Sequence, residues 1–263
     1  MIRHVEILYP HQTSLYGEGG NARYLRACLE DAEFVETGLA DRPAFSERPM
    51  DLILLGSMTE SDQSRCVQAL RPYRAALLEA LEAGARMLAT GNALELFGSS
   101  ILAEEKGEDS PALDLFPYRS GWNYWRRYNG HCVAHFQDPD KGLETDLVGY
   151  KSQFSFSYPQ PVHCGQTPPG RTDIPYQPLA RVERGIGMNP ETRNEGFRYR
   201  NFFGTHFLGP FLILNPDFCR YLIQEDAEER PILLYETEMR AAYAARLKLF
   251  RETPIETAKD RRK

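Results

Sequence analysis

The chain has 263 residues, 42% of them hydrophobic, a formal net charge of −6 and a pI near 5.6. That is apolar material for one large core, or for one domain plus an appendage. The acidic balance argues against a general binder of nucleic acid or of acidic membranes, and no stretch approaches the roughly 20 apolar residues that a spanning helix needs. The five cysteines (Cys28, Cys66, Cys132, Cys164 and Cys219) are odd in number, widely spaced and without a Cys-x-x-Cys pair. They read as free thiols in a reducing cytoplasm. The first residues, through Leu8, have a strand pattern rather than the longer apolar run of a signal peptide.

Taken in order, Val5 to Tyr9 reads as a first strand, followed by a glycine-rich turn at Gly17, Gly19 and Gly20. A helix is expected from about Asn21, which has the side chain to cap it, with Tyr24, Leu25, Cys28 and Leu29 on its buried face. Asp51 to Gly56 is a buried-strand run ending at glycine. Ser61 or Asp62 is then expected to cap one long helix reaching Ala83, stopped by Gly84. Met87-Leu88-Ala89 is a further short strand. Strands alternating with helices in this way predict βαβ units, a mostly parallel sheet and helices on both of its faces.

The second half is richer in aromatics, Gly and Pro. Short strands are expected at His131–Phe136 and Leu147–Tyr150, and a long loop between Pro159 and Pro178. A helix should cover Asp217 to Gln224. Another should run from about Glu236 to Phe250, with Met239, Tyr243, Leu247 and Phe250 at helical spacing. The charged residues 256–263 are expected to lack structure. This divides the chain into a domain over 1–224 and a C-terminal helix with a charged tail over 225–263.

Residues 86–98 carry the most informative signal. A short strand, a sharp turn at Gly91-Asn92 and a helix start form a strand-turn-helix elbow, the device by which several α/β folds lift a nucleophile above a sheet. The apex needs positive φ, which Gly91 adopts without strain. Glycine has no side chain with which to attack a carbonyl. The backbone device is present and the nucleophile is missing.

Three segments, taken as an ordered set over about residues 5 to 224, resemble one family. They are Leu8-Tyr9-Pro10 with Ser14-Leu15-Tyr16-Gly17-Glu18-Gly19-Gly20-Asn21; the elbow Ala89-Thr90-Gly91-Asn92-Ala93-Leu94-Glu95-Leu96-Phe97-Gly98; and Glu195-Gly196, Asn201 and Gly204-Thr205-His206-Phe207-Leu208-Gly209-Pro210 with Asn215-Pro216. The set is similar to the CobB/CobQ-type glutamine amidotransferases, and within them to the GatD-type glutaminase subunits that work with a Mur-ligase-like synthetase to amidate lipid II. The resemblance implies a class I amidotransferase-like fold, flavodoxin-like and three-layered. It also implies a synthetase subunit, Mur-ligase-like or another, as partner. Self-association stays open. In that family a Cys attacks the glutamine amide and a His shuttles the proton. The Cys position here is Gly91 and the His position is Leu208. Glu95 stands where the family has Gln, and Gly56-Ser57-Met58-Thr59-Glu60-Ser61 replaces a glycine-rich loop. No catalytic residue is therefore expected. The vestigial pocket is assigned to Gly56, Ser57, Gly91, Asn92, Glu95, His206 and Leu208.

No other group rebuilds a dyad. Thr90 points to the opposite face from its neighbour on the strand, Cys66 falls inside a helix as a small hydrophobe, and His206 would be a base without a nucleophile. No metal site or cofactor is expected, because His131 and His135 on one strand face sit roughly 13 Å apart. Trp122-Asn123-Tyr124-Trp125-Arg126-Arg127-Tyr128 reads either as cation–aromatic stacking at a sheet edge or as a recognition patch. Glu104-Glu105 reads as a solvated helix end or loop. Three functions follow: a non-catalytic amidotransferase-like subunit binding a protein partner or small ligand; an active amidotransferase or hydrolase using altered residues in the same cleft; or a structural scaffold with a closed pocket.

Overall fold

The computed structural model describes residues 2–160, 177–224 and 230–252, and the backbone of 259–260. Its strands are β1 (His4–Leu8), β2 (Glu33–Thr37), β3 (Leu52–Leu55), β4 (Arg86–Thr90), β5 (Ser100–Ala103), β6 (Glu108–Pro111), β7 (Tyr118–Trp122), β8 (Arg126–Asp138), β9 (Leu143–Gln153), β10 (Ser155–Pro159), β11 (Ala180–Arg184), β12 (Asn194–Glu195), β13 (Phe197–Tyr199), β14 (Phe202–Thr205) and β15 (Lys259–Asp260). The helices are α1 (Gly19–Cys28), α2 (Glu60–Leu70), α3 (Arg74–Glu82), α4 (Phe211–Leu214), α5 (Pro216–Ile223) and α6 (Glu236–Glu252). No helix among the described residues is long and apolar enough to cross a membrane.

The central sheet has the order β13-β14-β4-β3-β1-β2, parallel throughout except for β13 at one edge. Its middle strands are apolar on both faces, as expected for parallel strands covered on both sides. Leu52, Leu54 and Leu88 pack with Leu25 of α1 and Phe218 and Leu222 of α5. Ile53, Leu55, Met87 and Ala89 pack with Cys66 and Val67 of α2 and Leu77 and Leu81 of α3. The result is a three-layer α/β arrangement, as the sequence implied. Two further sheets flank it. One has the order β10-β7-β5-β6, and the other is built on the long β8–β9 hairpin with β11 and β12.

Local chemistry moved several boundaries. Asn21 does not cap α1, which starts two residues earlier; its Oδ1 accepts the Leu212 N–H at 2.9 Å and ties α1 to α4. Thr59, rather than Ser61 or Asp62, caps α2, its Oγ1 accepting the Asp62 N–H. The single long helix expected to Ala83 is two helices, separated by a 3-10 turn at Arg71–Tyr73. Pro72 is the cause, since it brings no N–H and its ring blocks the carbonyl four residues back. Strand β2 carried no clear sequence signal, being a half-exposed edge strand with two glutamates. The segment after the elbow is a 3-10 turn over Gly91–Phe97 rather than an α-helix. The Leu96, Phe97 and Gly98 carbonyls accept N–H groups from residues 113–116, so they are not free to continue a helix.

The two short second-half strands expected are parts of the longer β8 and β9, β10 to β14 carried no expectation, and both C-terminal helices lie where expected. Of the long loop expected between Pro159 and Pro178, residues 161–176 lie outside the described residues. In the tail, Lys259–Asp260 pair with Arg127 and Arg126 of β8 instead of being without structure; 256–258 and 261–263 lie outside the described residues.

Candidate functional site

Strand β4 lies in the middle of the sheet between β3 and β14, and its C-terminal end delivers Gly91 to the edge where the loops gather. Gly91 has φ +62°, and its N–H donates to the Phe207 carbonyl at 3.1 Å. A Cβ added there would lie 2.6 Å from the Ser57 Cβ and 2.8 Å from the Leu208 Cδ2. Both distances are below any real Cβ contact, so the apex accommodates glycine alone while its neighbours hold their places. Leu208 is buried and held by its own N–H to the Tyr150 carbonyl at 3.0 Å. Leu208 therefore fills the space where a side chain at position 91 would begin.

The loop after β3 is also committed. In elbow enzymes the anion of the intermediate is held by backbone N–H groups, one following the nucleophile and one from a facing loop. Here Asn92 clamps the facing loop: its Oδ1 accepts the Met58 N–H at 2.9 Å and its Nδ2 donates to the Met58 carbonyl at 2.8 Å. The Met58 N–H is thus already used. Ser57 Oγ donates to Glu18, whose carboxylate also accepts the Tyr16 N–H at 2.8 Å. Gly56 is required by a close approach, because a Cβ there would meet the Thr13 carbonyl oxygen at 1.9 Å. Beside it lies a small cavity of about 80 Å³ lined by Thr13, Glu18, Asn21, Gly56 and Thr90. The buried Thr90 Oγ1 has no hydrogen-bond partner.

Glu95 and His206 sit together inside the fold, beside the elbow rather than in an open pocket, both buried. Glu95 accepts from Ser155 Oγ and from Gln63 Nε2, and Gln63 also donates to the Asn92 carbonyl at 3.0 Å. Burial pushes the Glu95 carboxyl up to about 7, against the lowering effect of the Ser155 and Gln63 hydrogen bonds. The His206 Nε2 is 3.9 Å from Glu95, too far for a hydrogen bond, and both ring nitrogens lack partners. Burial pushes this imidazole down to about 4, leaving it neutral near pH 7. Next to it Lys151 and Glu195 form a fully buried ion pair, with Thr205 Oγ1 and the His206 N–H also donating to Glu195. Burial alone would raise the Glu195 carboxyl. The Lys151 ammonium, with the hydrogen bonds from Lys151 and Thr205, outweighs it and holds the group below its ordinary range.

Of the seven residues assigned to the pocket, Ser57, Gly91, Asn92 and Leu208 meet at the elbow. Gly56 lies on the neighbouring small cavity, and Glu95 and His206 form the buried pair. Sequence reasoning missed Glu18, Gln63, Lys151 and Ser155 as members of this region. Glu18 and Glu195 stood inside quoted motifs, whereas Lys151 and Ser155 sit in ordinary strand sequence and become neighbours only through the β8–β10 sheets. The other candidates have local roles. Cys66 is buried in α2, where burial raises its thiol to about 12. His131 stacks on Phe250 with ring centroids 4.1 Å apart, while His135 lies 3.1 Å from both Glu144 and Asp146. Glu104 and Glu105 are exposed and accept from Asn123 Nδ2 and the Tyr124 N–H. Arg127 stacks over Phe154, and Trp125 is exposed. No group of three or more His, Cys, Asp or Glu is placed to hold a metal ion among the described residues.

The architecture and the elbow define a three-layer α/β protein, and comparison with known proteins finds subunits of a glutamine-hydrolysing synthase to which it is similar. The chain is 24% identical over 223 residues to the GatD subunit of the glutamine-hydrolysing lipid II isoglutaminyl synthase of Staphylococcus aureus, covering 83% of this chain and 82% of the relative. The corresponding GatD subunit of Streptococcus pneumoniae is 24% identical over 218 residues, or 82% of this chain and 77% of the relative. Both are distant relatives. A solved glutamine amidotransferase from Thermotoga maritima aligns over 96% of this chain and 100% of its own at 12% identity, with a TM-score of 0.49. A second solved glutamine amidotransferase covers 83% of this chain and 96% of its own at 13% identity and a TM-score of 0.44. No family model matches the chain.

Proposed function

We propose that this chain is a non-catalytic amidotransferase-like subunit that works by binding. The observation that carries the reading is the packing at the elbow: Leu208 and Ser57 occupy the space into which a nucleophile's Cβ would project from Gly91. The occupied Met58 N–H supports it, since transition-state stabilisation needs donors that are free when charge develops. With the elbow filled, a protein partner is favoured there over a small ligand. The GatD relatives are subunits of a synthase, so the partner proposed is a synthetase subunit, Mur-ligase-like or another, and the place of action is the cytoplasm.

Altered chemistry in the same cleft is the weaker reading. Ser155 Oγ donates to Glu95, but both groups are buried, so the hydroxyl is not presented as a nucleophile. Ammonia release from glutamine by the purified chain, measured beside a Cys–His glutaminase, tests the proposal. The expected rate is lower by at least about a thousandfold, as when nucleophile and base are both removed. Turnover at an ordinary enzymatic rate that copurifies with the chain overturns it. Co-elution with a synthetase partner on size exclusion is the positive arm.

A further inference from the structure

A second cleft, of about 550 Å³, opens between α2 and the strands β5 and β6, closed at one end by the Arg71 Nη2 hydrogen bond to the Pro111 carbonyl at 2.8 Å. Its volume is within the range of small-molecule sites, about 300–1,000 Å³. One wall is aromatic. Trp122 and Tyr124 lie side by side with centroids 4.7 Å apart, and Phe154 stacks behind Tyr124 at 5.2 Å. The opposite wall is the exposed face of α2, which presents Ser61, Ser64 and Gln68. Buried Gln63 lines the cleft as well, and it joins the cleft to the elbow through its hydrogen bonds to Glu95 and the Asn92 carbonyl.

The chemistry of these walls narrows the ligand. Glu60 and Glu108 face Lys106 and Arg71 in the lining, so the cleft has no net sign, and the Arg71 guanidinium already serves Pro111. Glu60 and Asp62 open the first turn of α2, where a phosphate would otherwise gather. A nucleotide or an acidic peptide is therefore disfavoured. A wholly apolar ligand is disfavoured too, because it would strip water from the serine hydroxyls and the Gln68 amide without replacing the hydrogen bonds. A flat apolar face on one side and hydroxyls on the other meets both walls. We propose that the cleft between α2 and β5–β6 binds a neutral sugar ring, stacked on Trp122 and Tyr124 and hydrogen-bonded by Ser61, Ser64 and Gln68. Stacking supplies apolar burial against the indole, and the short hydroxyl and amide side chains donate and accept as sugar hydroxyls require. The site does not rest on the inactivity of the elbow.

The test uses the full chain, with cellobiose, maltose and diacetylchitobiose as probes. The sequence has two tryptophans, so Trp125→Phe leaves Trp122 as the one indole reporter. At least one disaccharide is expected to change Trp122 fluorescence saturably and to show saturation-transfer NMR signals from one sugar face. Trp122→Ala should weaken binding by about tenfold, the loss of a stacking platform. Ser64→Ala and Gln68→Ala are exposed changes that leave the core intact. Each should weaken binding about threefold or more with an unchanged melting temperature, which keeps the test informative if Trp122→Ala misfolds. Tyr235→Ala, an exposed aromatic outside the lining, serves as the control with no change expected. Absence of saturable binding by all three probes at millimolar concentration overturns the proposal. So does binding that survives Ser64→Ala and Gln68→Ala together, or tighter binding of adenosine monophosphate than of any sugar.

Discussion

The elbow and the buried polar layer beside it are joined by a single 3-10 turn, yet they differ in opposite ways. At the elbow the backbone is preserved: a central parallel strand, an apex at positive φ and a facing loop at hydrogen-bonding distance. At positions 91 and 208 it carries only a hydrogen and an aliphatic chain. In the polar layer the side chains are rich in chemistry (a carboxyl near 7, a neutral imidazole, an ammonium–carboxylate pair), but all are buried and most of them satisfy one another. A perturbed pKa often marks a functional site, though structural networks perturb pKa as well. Glu95 and His206 are shifted by burial, without an opening through which a substrate is shown to reach them. Backbone geometry without side chains, and side chains without access, give two regions that each look half catalytic.

The largest expected effect falls on the polar layer. Lys151→Met leaves Glu195 charged and buried without its cation, and should cost about 3–5 kcal/mol in denaturant unfolding. Lys151→Met with Glu195→Gln should recover part of that loss. If the single variant costs no more than an exposed substitution, the pair is not the anchor of this layer.

Next comes the elbow. Gly91→Ala meets both a left-handed backbone and two sub-contact neighbours, for a loss of about 2–4 kcal/mol. In a Leu208→Ala background the same substitution should cost about 1 kcal/mol less, because one of the two clashes is removed. Strict additivity in the cycle would mean that Leu208 does not fill the apex. Gly91→Cys with Leu208→His should not restore glutamine turnover, because the Met58 N–H stays with Asn92 and the Glu95 carboxylate opposes a thiolate. Fast, stoichiometric alkylation by a glutamine analogue would reverse that conclusion.

The pH dependence of stability separates Glu95 from His206. The folded Glu95 pKa, about 7, lies above its ordinary 4.5, so this group's contribution is full below pH 4.5 and declines as pH rises to 7. The folded His206 pKa, about 4, lies below its ordinary 6.5, so its contribution is full above 6.5 and declines as pH falls to 4. The two slopes oppose each other, each amounting to the order of 3 kcal/mol, and the wild-type profile between pH 4.5 and 6.5 should be nearly flat from this pair. Glu95→Gln should make stability rise with pH in that window, and His206→Gln should make it fall. Parallel profiles for both variants would show that the pair does not titrate as the geometry demands. The smallest effect is expected for Asn92→Ala, about 1–2 kcal/mol for two lost hydrogen bonds, with faster amide exchange at Met58.

Much of this was legible in the sequence. The alternating apolar runs Val5–Leu8, Leu52–Leu55 and Met87–Ala89 gave a parallel sheet, because a strand buried on both faces reads as a continuous apolar run. Gly91 at positive φ and the lack of a nucleophilic or basic side chain at positions 91 and 208 needed no coordinates, since turn chemistry and residue identity are local. Partners distant in sequence were not legible. That Leu208 closes on Gly91, that Asn92 turns its amide onto Met58, that Gln63 and Ser155 both reach Glu95, and that Lys151 meets Glu195 all depend on strands brought together by sheet order. The same holds for the cleft of Trp122 and Tyr124 against α2. Local patterns state what each segment is able to form; burial and charge pairing depend on which segments meet, and only the packed chain decides that.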